Sequence, residues 1–398
     1  MDQERISTLV EKYWDKVKEH RYYLHAHPEL SHHEKNTAAY IAETLKKMGL
    51  SPKENVGGYG VTAVIEGKGE GKCVGLRADF DALPITECTG VPFASENPGV
   101  MHACGHDAHT AMLLGAAYVL NEIRDEFAGK VKLVFQPSEE DAAGSGAKAM
   151  IADGCLEDPH VDAMFGQHVW PNLPYGKVGV RNGAMMASSD RFFITVKGKS
   201  SHGSAPENGI DAIAISAQVI SALQNIVSRN VSPLDSAVVT IGKITGGNRY
   251  NVIADTVKME GTCRNLNPAV RKQMPARIEN IVKGVSEGMG GSYEFQYFMG
   301  YSPTVNDPKQ FELVCDAIKE TQGEDALVIP ASSALGGEDF SFYCEKVPSA
   351  FIWLGCRDPQ TPIEKLVPIH NGGFAPMEEA LPIGIEVMTA AALKFLEQ

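Results

Sequence analysis

The chain has 398 residues, of which 43% are hydrophobic, and it carries a formal net charge of −14 at pH 7. This length exceeds what one ordinary hydrophobic core accommodates, so we expect two domains. The acidic balance argues against sequence-independent binding to nucleic acid or to an anionic membrane, because both need a basic face.

The spacing of the cysteines and the length of the apolar segments indicate the cellular location. Eight cysteines are scattered at positions 73, 88, 104, 155, 263, 315, 344 and 356, without the paired spacing of a small disulfide scaffold. Residues 1–7 are polar and lack the apolar core of a signal peptide, and no stretch reaches the roughly 18 apolar residues of a membrane span. We therefore expect a reduced, cytoplasmic location.

The first half of the chain has the alternating pattern of an α/β domain. In order, it predicts helices at 4–26 and 34–49, strands at 61–66 and 73–79, a helix from about Asp107 to Leu120, and strands at 131–136 and 162–168. The glycine-rich link 67–72 lacks the spacing of phosphate-binding loops and is predicted to be a turn.

From about Ser188 the pattern changes to that of a smaller unit. It predicts a strand at 191–197, a helix at 209–228, strands at 237–244 and 256–263, a helix at 268–288 and a strand at 293–299. This βαββαβ order indicates an α+β unit with one open face. Apolar residues near helical spacing predict the core face of helix 209–228: Ile210, Ile213, Ala214, Ala217, Ile220 and Leu223.

The expected fold is therefore α/β, with a catalytic domain built on a mixed central sheet flanked by helices and an inserted α+β lid. The metal-binding catalytic domain is predicted to be discontinuous, 1–187 and 300–398, and the lid and dimerisation domain is predicted at 188–299. The two crossings are natural hinges for a closure that excludes water. An edge strand of the lid offers a pairing surface to a second copy, so a homodimer is an expectation.

Residues 101–109, Met-His-Ala-Cys-Gly-His-Asp-Ala-His, concentrate potential metal ligands in a stretch that is otherwise small or apolar. Thiolate and imidazole bind zinc and related metals well, and the spacing Cys104-x-His106 lets one short loop present both. A metal site is therefore the leading hypothesis.

Other segments supply what such a site still lacks. Glu139 and Glu140 follow the strand at 131–136, His168 ends an apolar run, and His370 stands alone near the C-terminus. Five ligands and a spare carboxylate exceed the needs of one tetrahedral structural zinc. They suit two metals that share a ligand, leave positions open for water and substrate, and have a general base beside them.

Each of these residues also has an ordinary structural interpretation. A lone buried histidine such as His168 or His370 is more often a hydrogen-bonded core residue, adjacent glutamates often begin a solvated helix, and Cys104 alone packs as a small hydrophobe. The combination favours a metal site, because unsatisfied polar side chains at several strand ends are costly without one. The histidine-rich run 24–33 is predicted to be structural.

Five motifs together resemble the two-metal amidohydrolase and exopeptidase superfamily: residues 101–109, 136–140, 166–171, 337–342 and 370–371. They are most similar to the branch of hippurate hydrolases, N-acetyl-amino-acid deacetylases and plant auxin-conjugate (indoleacetyl-amino-acid) hydrolases. The resemblance runs from about His25 to the C-terminal helix, so it covers nearly the whole chain.

The resemblance implies a role for each matching residue. Cys104 corresponds to a metal-bridging thiolate and Glu139 to the general base, which takes a proton from water held by the metals and returns it to the departing amine. The remaining metal ligands of the branch correspond to His106, Glu140, His168 and His370.

The strand Arg77-Ala-Asp79-Phe-Asp81 departs from other branches of the superfamily, which carry a His-x-Asp pair there and an aspartate bridge. This departure fits the cysteine branch. Asp79 and Asp81 are interpreted as residues that orient metal-bound histidines, and partly solvated carboxylates at a strand end are the alternative.

Three residues of the predicted lid match positions that relatives place around the substrate. His202 corresponds to a histidine that reaches a substrate carbonyl, in dimeric relatives from the neighbouring subunit, and a turn histidine is the alternative. Asn251 and Arg264 correspond to residues of the substrate-binding cleft, and an arginine fork suits a substrate carboxylate. We also expect Met185, Met186 and Phe340 to line the acyl pocket.

The function implied by the resemblance is metal-dependent hydrolysis of N-acyl-L-amino acids, with N-acetyl, benzoyl or related acyl groups, to a carboxylic acid and a free amino acid. Two divalent metal ions are expected, zinc first and manganese, cobalt or nickel as alternatives. A dipeptidase or carboxypeptidase and an N-acetyl-diaminopimelate deacetylase are alternatives within the same chemistry. The remote alternative is a non-catalytic protein that binds metal or amino-acid conjugates. The presence of Glu139, the candidate general base, argues against it.

Overall fold

The computed structural model describes residues 3–398. Its α-helices are α1 (Gln3–Ala26), α2 (Lys35–Lys47), α3 (His106–Glu122), α4 (Gly146–Ala152), α5 (Ala212–Asn225), α6 (Pro268–Gly288), α7 (Pro308–Gln322), α8 (Ser341–Cys344) and α9 (Ala380–Leu396). Among these residues, no helix combines the length and the apolar composition that a membrane crossing needs.

The strands follow the same chain order. They are β1 (Lys53–Val56), β2 (Gly60–Glu66), β3 (Cys73–Asp79), β4 (Lys130–Gln136), β5 (Ala163–Pro174), β6 (Val178–Gly179), β7 (Gly183–Met186), β8 (Ser189–Lys197), β9 (Ala237–Gly246), β10 (Thr256–Asn265), β11 (Ser292–Tyr301), β12 (Thr304–Asn306), β13 (Leu327–Val328) and β14 (Ser349–Arg357). The prediction of an α/β fold with a mixed central sheet and flanking helices is confirmed.

The chain forms two compact units. The first contains residues up to 185 together with 305–332 and 339–398, and the second contains residues 186–304 and 333–338. Segment 333–338 thus differs from the predicted boundaries, which placed it with the catalytic domain. The reason is local pairing, because the N–H of Ala187 donates to the carbonyl oxygens of Ala334 and Gly336, at 3.0 and 3.1 Å.

The first unit is built on a mixed eight-stranded sheet with the order β1-β2-β4-β3-β5-β14-β6-β13. Strands β4, β3, β5 and β14 are mutually parallel, whereas β1 and β2 pair antiparallel. Parallel neighbours end at the same edge of a sheet, so the residues that follow β3 and β4 lie close to the distal half of β5. This edge carries the polar residues singled out in the sequence.

Alternation along the strands assigns the two faces of this sheet. Val131, Leu133 and Phe135 of β4 point into the main hydrophobic core, which α1, α3 and α9 cover. Helices α4 and α8 lie near β4 and β14. Helix α3 is buried from His106 to Ala117, and its N-terminus brings His106 to the edge described above.

The second unit follows the order β8-α5-β9-β10-α6-β11 and forms an antiparallel sheet arranged β11-β8-β10-β9. Helices α5 and α6 pack against this sheet and against each other. Its core is separate from that of the first unit. Whether this unit acts as a lid stays a prediction.

The predicted core face of helix 209–228 is wrong at Ile213, Ala214 and Ala217, which are exposed, and correct at Leu223, which is buried. Ile210 and Ile220 are partly buried and pack against the core. The helix starts at Ala212, where the Asp211 side chain caps it by accepting from the N–H groups of Ile213 and Ala214, at 2.9 and 3.1 Å. Ile213 is 49% exposed. The buried residues of α5 are Ala212, Ile215, Ser216, Val219 and Leu223. Because apolar residues occur on both faces of α5, helical spacing alone did not identify the buried one.

Candidate metal centre

The two ligand candidates Cys104 and His106 stand at the start of α3 because of the glycine between them. Gly105 has a backbone φ of +91°, which residues with a side chain rarely adopt. A Cβ atom at this position would also lie 2.5 Å from Cγ2 of Val169. Cys104 precedes the helix and His106 is its first residue, and both side chains are buried. The turn therefore needs glycine in order to place a thiol and an imidazole side by side.

Two groups of side chains converge here. The ligand atoms of Cys104, His106 and His168 all lie within 4.8 Å of one another, and so do those of Cys104, Glu140 and His370. The distance from Cys104 Sγ to His168 Nε2 is 3.3 Å, and that from His370 Nε2 to Glu140 Oε1 is 3.1 Å. Cys104 belongs to both groups, which is the arrangement that a ligand shared by two cations requires.

Hydrogen bonds on the far side of each ring aim the histidines. His168 Nδ1 lies 2.6 Å from the carbonyl oxygen of Val169, to which it donates, so that Nε2 faces Cys104. His106 Nδ1 lies 3.2 Å from Asp81 Oδ1, and His106 Nε2 is a buried atom without a hydrogen-bond partner among residues 3–398. Outer carboxylates and carbonyls that leave Nε2 free are characteristic of metal-binding histidines.

The electrostatics of the cluster favour a cation. Burial opposes a charge on His106, but Asp79, Asp81 and Glu140 outweigh it and raise the pKa of His106 to about 10. Burial, with Glu140 and Glu139, raises the pKa of the Cys104 thiol well above its usual range. A thiolate therefore needs a cation at this place, and a divalent metal satisfies both the carboxylates and the thiolate.

Glu139 lies beside these groups. Its carboxylate is within 4.8 Å of the ligand atoms of His106 and Glu140, and the residue is 6% exposed. The backbone N–H of Asp339 donates to Glu139 Oε1 at 3.3 Å. This carboxylate is thus held next to the candidate ligands.

His370 closes the cluster from a loop that precedes α9. Its backbone N–H donates to the carbonyl oxygen of Ala103 at 2.8 Å, which joins this loop to the Cys104 turn. The residue has φ +61°, a conformation that histidine tolerates better than most residues. Its side chain is 49% exposed, so the cluster is open to solvent on this side.

Similarity to known proteins bears on this arrangement. Residues 75–394 match the family described as Peptidase family M20/M25/M40. The chain belongs to this family. It is 44% identical over 335 residues to the N-acetyl-L-cysteine deacetylase of Bacillus subtilis, a match covering 84% of this chain and 79% of that protein. It is 38% identical over 394 residues to the thermostable carboxypeptidase 1 of Saccharolobus solfataricus, covering 98% of each.

A solved M20 structure is similar along the whole chain. The Bacillus subtilis YXEP protein, described as a dinuclear metal binding peptidase from the M20 family, has a TM-score of 0.84 and 36% identity to this chain. The match covers 97% of this chain and 99% of that one. The predicted membership of the two-metal amidohydrolase and exopeptidase superfamily is confirmed.

Three polar residues of this M20 chain were left without a role in the sequence analysis. His109 Nδ1 donates to Asp79 Oδ1 at 2.6 Å, and its Nε2 accepts from the N–H of Val169 at 2.9 Å, so both ring nitrogens are occupied. Arg77 and Asp339 pair at 2.8 Å inside the protein. An arginine within an otherwise apolar strand was the sequence signal for this buried pair.

The predicted substrate-side residues lie in the second unit. His202 Nδ1 is 3.2 Å from the N–H of Ser204, which donates to it, and His202 forms an isolated bridge with Val252. The N–H of Gly203 donates to the carbonyl oxygen of Asn251 at 2.8 Å. Arg264 lies on β10, half-buried, and burial lowers its pKa. The roles of His202, Asn251 and Arg264 towards a substrate stay predictions.

The predicted acyl-pocket residues are buried. Met185 and Phe340 have no exposed surface, and Met186 is 4% exposed. Phe340 packs against Phe351, with ring centroids 5.0 Å apart, and a Cβ on Gly166 would lie 2.7 Å from its ring. Phe340 is therefore held by packing, and the expectation that Met185, Met186 and Phe340 line an acyl pocket stays a prediction.

Proposed function

We propose that the chain hydrolyses the amide bond of N-acyl-L-amino acids in a metal-dependent reaction. The observation that carries the proposal is the pair of ligand groups that share Cys104, with the Glu139 carboxylate beside them. The similarity to an N-acetyl-L-cysteine deacetylase supports the substrate class. The products are a carboxylic acid and a free amino acid.

In this proposal two divalent cations would be held by Cys104, which belongs to both ligand groups, and by His106, Glu140, His168 and His370. When bound, the cations would polarise the substrate carbonyl and make a bound water molecule more acidic. Zinc is the first choice because one thiolate and three imidazoles suit it, and manganese, cobalt or nickel are the alternatives.

Glu139 is the general base and then the general acid. Its carboxylate accepts a proton from the attacking water and delivers it to the nitrogen of the departing amino acid. The N–H of Asp339 holds Glu139 Oε1 and so restricts the orientation of the carboxylate. A base that is already aimed loses no free energy to orientation during the reaction.

His202, Asn251 and Arg264 bind the substrate. The N–H of Ser204 donates to His202 Nδ1, so the ring proton resides on Nε2, which makes that nitrogen the donor for the developing oxyanion. Arg264 supplies a guanidinium for the free carboxylate of the amino acid, and Asn251 adds an amide. Asn251 Oδ1 is a buried atom without a hydrogen-bond partner in the described chain, so it is available to accept from a ligand.

The protein forms a homodimer through its second unit, which also acts as a lid. Strand β9 ends the sheet, and within residues 3–398 it pairs with β10 alone. Ile213 on α5 and Ile244 on β9 are 49% and 52% exposed, which places apolar surface beside an unpaired strand edge. Both features favour pairing with a second copy. All eight cysteines are free thiols, which supports a cytoplasmic location.

The runner-up is a carboxypeptidase or dipeptidase, since a relative is named a thermostable carboxypeptidase. A peptide with a free C-terminus is itself an N-acyl amino acid, so the same residues serve both reactions. N-acetyl-diaminopimelate is a further candidate substrate. A non-catalytic binding protein is the remote alternative, against which the placement of Glu139 argues.

The test measures amine release from N-acetyl, N-benzoyl, long-chain acyl and dipeptide substrates. Metal-depleted protein is reloaded with zinc or manganese, and Glu139→Ala serves as the control. Metal-dependent release that disappears in Glu139→Ala with two metals still bound supports the proposal and ranks the substrates. Absence of release with every metal and substrate, despite tight metal binding, favours the non-catalytic alternative.

A further inference from the structure

The segment that carries Glu139 and Glu140 contains a residue in an unfavourable conformation. Ser138, which directly precedes Glu139, has φ +54°. The backbone of L residues rarely adopts this left-handed region, so surrounding interactions must hold Ser138 there. Whatever holds Ser138 therefore sets the direction in which the next two carboxylates leave the strand end.

Hydrogen bonds with three residues hold Ser138, and Glu34 makes two of them. The N–H of His32 donates to the Ser138 hydroxyl at 2.9 Å, and the N–H of Gly146 donates to the Ser138 carbonyl oxygen at 3.1 Å. The backbone N–H and the hydroxyl of Ser138 both donate to Glu34 Oε1, each at 2.8 Å. Glu34 has no exposed surface. It occupies the N-cap position of α2, yet its side chain makes no capping hydrogen bond. Its carboxylate is directed at Ser138 and not at its own helix.

Glu29 performs the capping that Glu34 does not. Glu29 Oε2 accepts from the N–H and the hydroxyl of Thr37, at 2.8 and 2.9 Å. Burying a carboxylate is unfavourable unless hydrogen bonds compensate it. The two donors from Ser138 supply that compensation, so the contact between Glu34 and Ser138 stabilises both partners.

We infer that Glu34 is a positioning residue that fixes Glu139 and Glu140 by holding Ser138 in its left-handed conformation. This inference rests on the proposed function for its effect on turnover. Its effect on metal binding does not depend on the substrate, because Glu140 is a metal ligand on the same segment.

The first measurement compares Glu34→Ala with the wild type. We expect kcat to fall about 10- to 100-fold, with KM changed less than about threefold, because the base and not the substrate site is displaced. We expect zinc affinity, measured by competition with a chelator, to fall about 10- to 100-fold. Thermal unfolding establishes whether Glu34→Ala is folded. If Glu34→Ala does not fold, the isosteric Glu34→Gln replaces it, with a smaller expected loss of kcat and zinc affinity.

The second measurement is a rescue. Glycine adopts positive φ without strain, so Ser138→Gly in the Glu34→Ala background should restore at least about tenfold of the lost kcat and zinc affinity. Glu29→Ala is the matched control, because it weakens the same end of α2 without contacting Ser138. It should lower thermal stability while keeping kcat and zinc affinity.

The outcomes are distinct. Loss in Glu34→Ala, recovery in the double variant and retention in Glu29→Ala support the inference. It is overturned if Glu34→Ala behaves as the wild type, if glycine restores nothing, or if Glu29→Ala loses as much. If the wild type binds zinc but cleaves no substrate, the proposed function fails, and the zinc affinities still decide the role of Glu34.

Discussion

The guanidinium of Arg77 pairs with Asp339 inside the first unit, at 2.8 Å, and both side chains are fully buried. Arg77 also donates to Asp79 Oδ2 at 2.7 Å. Asp79 in turn accepts from His109, and the N–H of Asp339 reaches Glu139. The buried guanidinium of Arg77 thus connects Asp79, which lies beside the candidate metal ligands, with Asp339, which orients the candidate base.

Replacing Arg77 should destabilise the protein strongly. Arg77→Met leaves two buried carboxylates without their cation, and breaking a buried ion pair in this way costs roughly 3–5 kcal/mol. The free energy of unfolding in urea is the measurement. Lys130→Met is the control, because Lys130 pairs with Glu66 at the surface and exposed pairs contribute about 0–1 kcal/mol. An equal decrease in the free energy of unfolding in the two variants would contradict the claim that the buried ion pair contributes more than the exposed one.

Cys104 should determine the loading of both metals. Because it belongs to both ligand groups, Cys104→Ala should bind fewer than two zinc ions per chain under conditions that saturate the wild type. Metal content after dialysis is the measurement. Cys315→Ala, which removes another buried thiol on α7, should retain two. Normal loading of Cys104→Ala would show that Cys104 is not shared.

Asp81 should control metal affinity through two hydrogen bonds. Its Oδ1 faces His106 Nδ1, and its Oδ2 accepts from the N–H of Glu140 at 3.0 Å. Asp81→Asn replaces one acceptor with a donor, so either His106 or Glu140 loses its partner. We expect zinc affinity to fall about 10- to 100-fold. The control Asp162→Asn alters a carboxylate that accepts from the N–H of Cys73, and it should bind zinc as the wild type does.

The sequence indicated the candidate ligands but not the residues that surround them in the structure. Cys104, His106, Glu140 and His168 lie on elements whose ends follow from hydrophobic periodicity and from the parallel pairing of β3, β4 and β5. The residues that orient them depend on contacts across the fold. Arg77 and Asp339 are 262 positions apart, and no local pattern relates them.

The face of α5 and the role of Glu34 were missed for a similar reason. Apolar residues on both sides of α5 leave its buried face to be decided by packing against β9 and β10. Glu34 is the first residue of the helix predicted at 34–49, where a carboxylate ordinarily indicates a helix start. Only the position of Ser138, 104 residues later, reveals what Glu34 binds.

Association of two copies should depend on the exposed face of α5. Ile213→Asp places a charge on apolar surface beside the free edge of β9, so the homodimer should dissociate while each copy remains folded. Sedimentation velocity at micromolar concentration is the measurement. Leu234→Asp, at a residue that is 96% exposed in the same unit, should remain dimeric. A monomeric wild type would refute the proposed dimer.

His20 should make the protein sensitive to mild acid. Its Nδ1 and Nε2 lie 2.8 and 3.2 Å from the hydroxyls of Tyr40 and Tyr118, and burial, with Lys16 and Lys47, lowers the pKa of His20 to about 4. The unfolded chain has an ordinary histidine pKa of about 6.5, so it binds the proton first as pH falls. Stability attributable to a neutral His20 is complete above about pH 6.5 and is lost progressively towards pH 4.

The free energy of unfolding in urea, measured at pH 7 and at pH 5, tests this. The His20 contribution should decrease by about 2 kcal/mol between these values. His20→Gln is less stable than the wild type at pH 7, because its side chain cannot reproduce both contacts, but it should lose about 2 kcal/mol less on acidification. His160→Gln, at an exposed histidine beside Glu157, should follow the wild type at both pH values. The same acid loss in His20→Gln as in the wild type would assign the sensitivity to other groups.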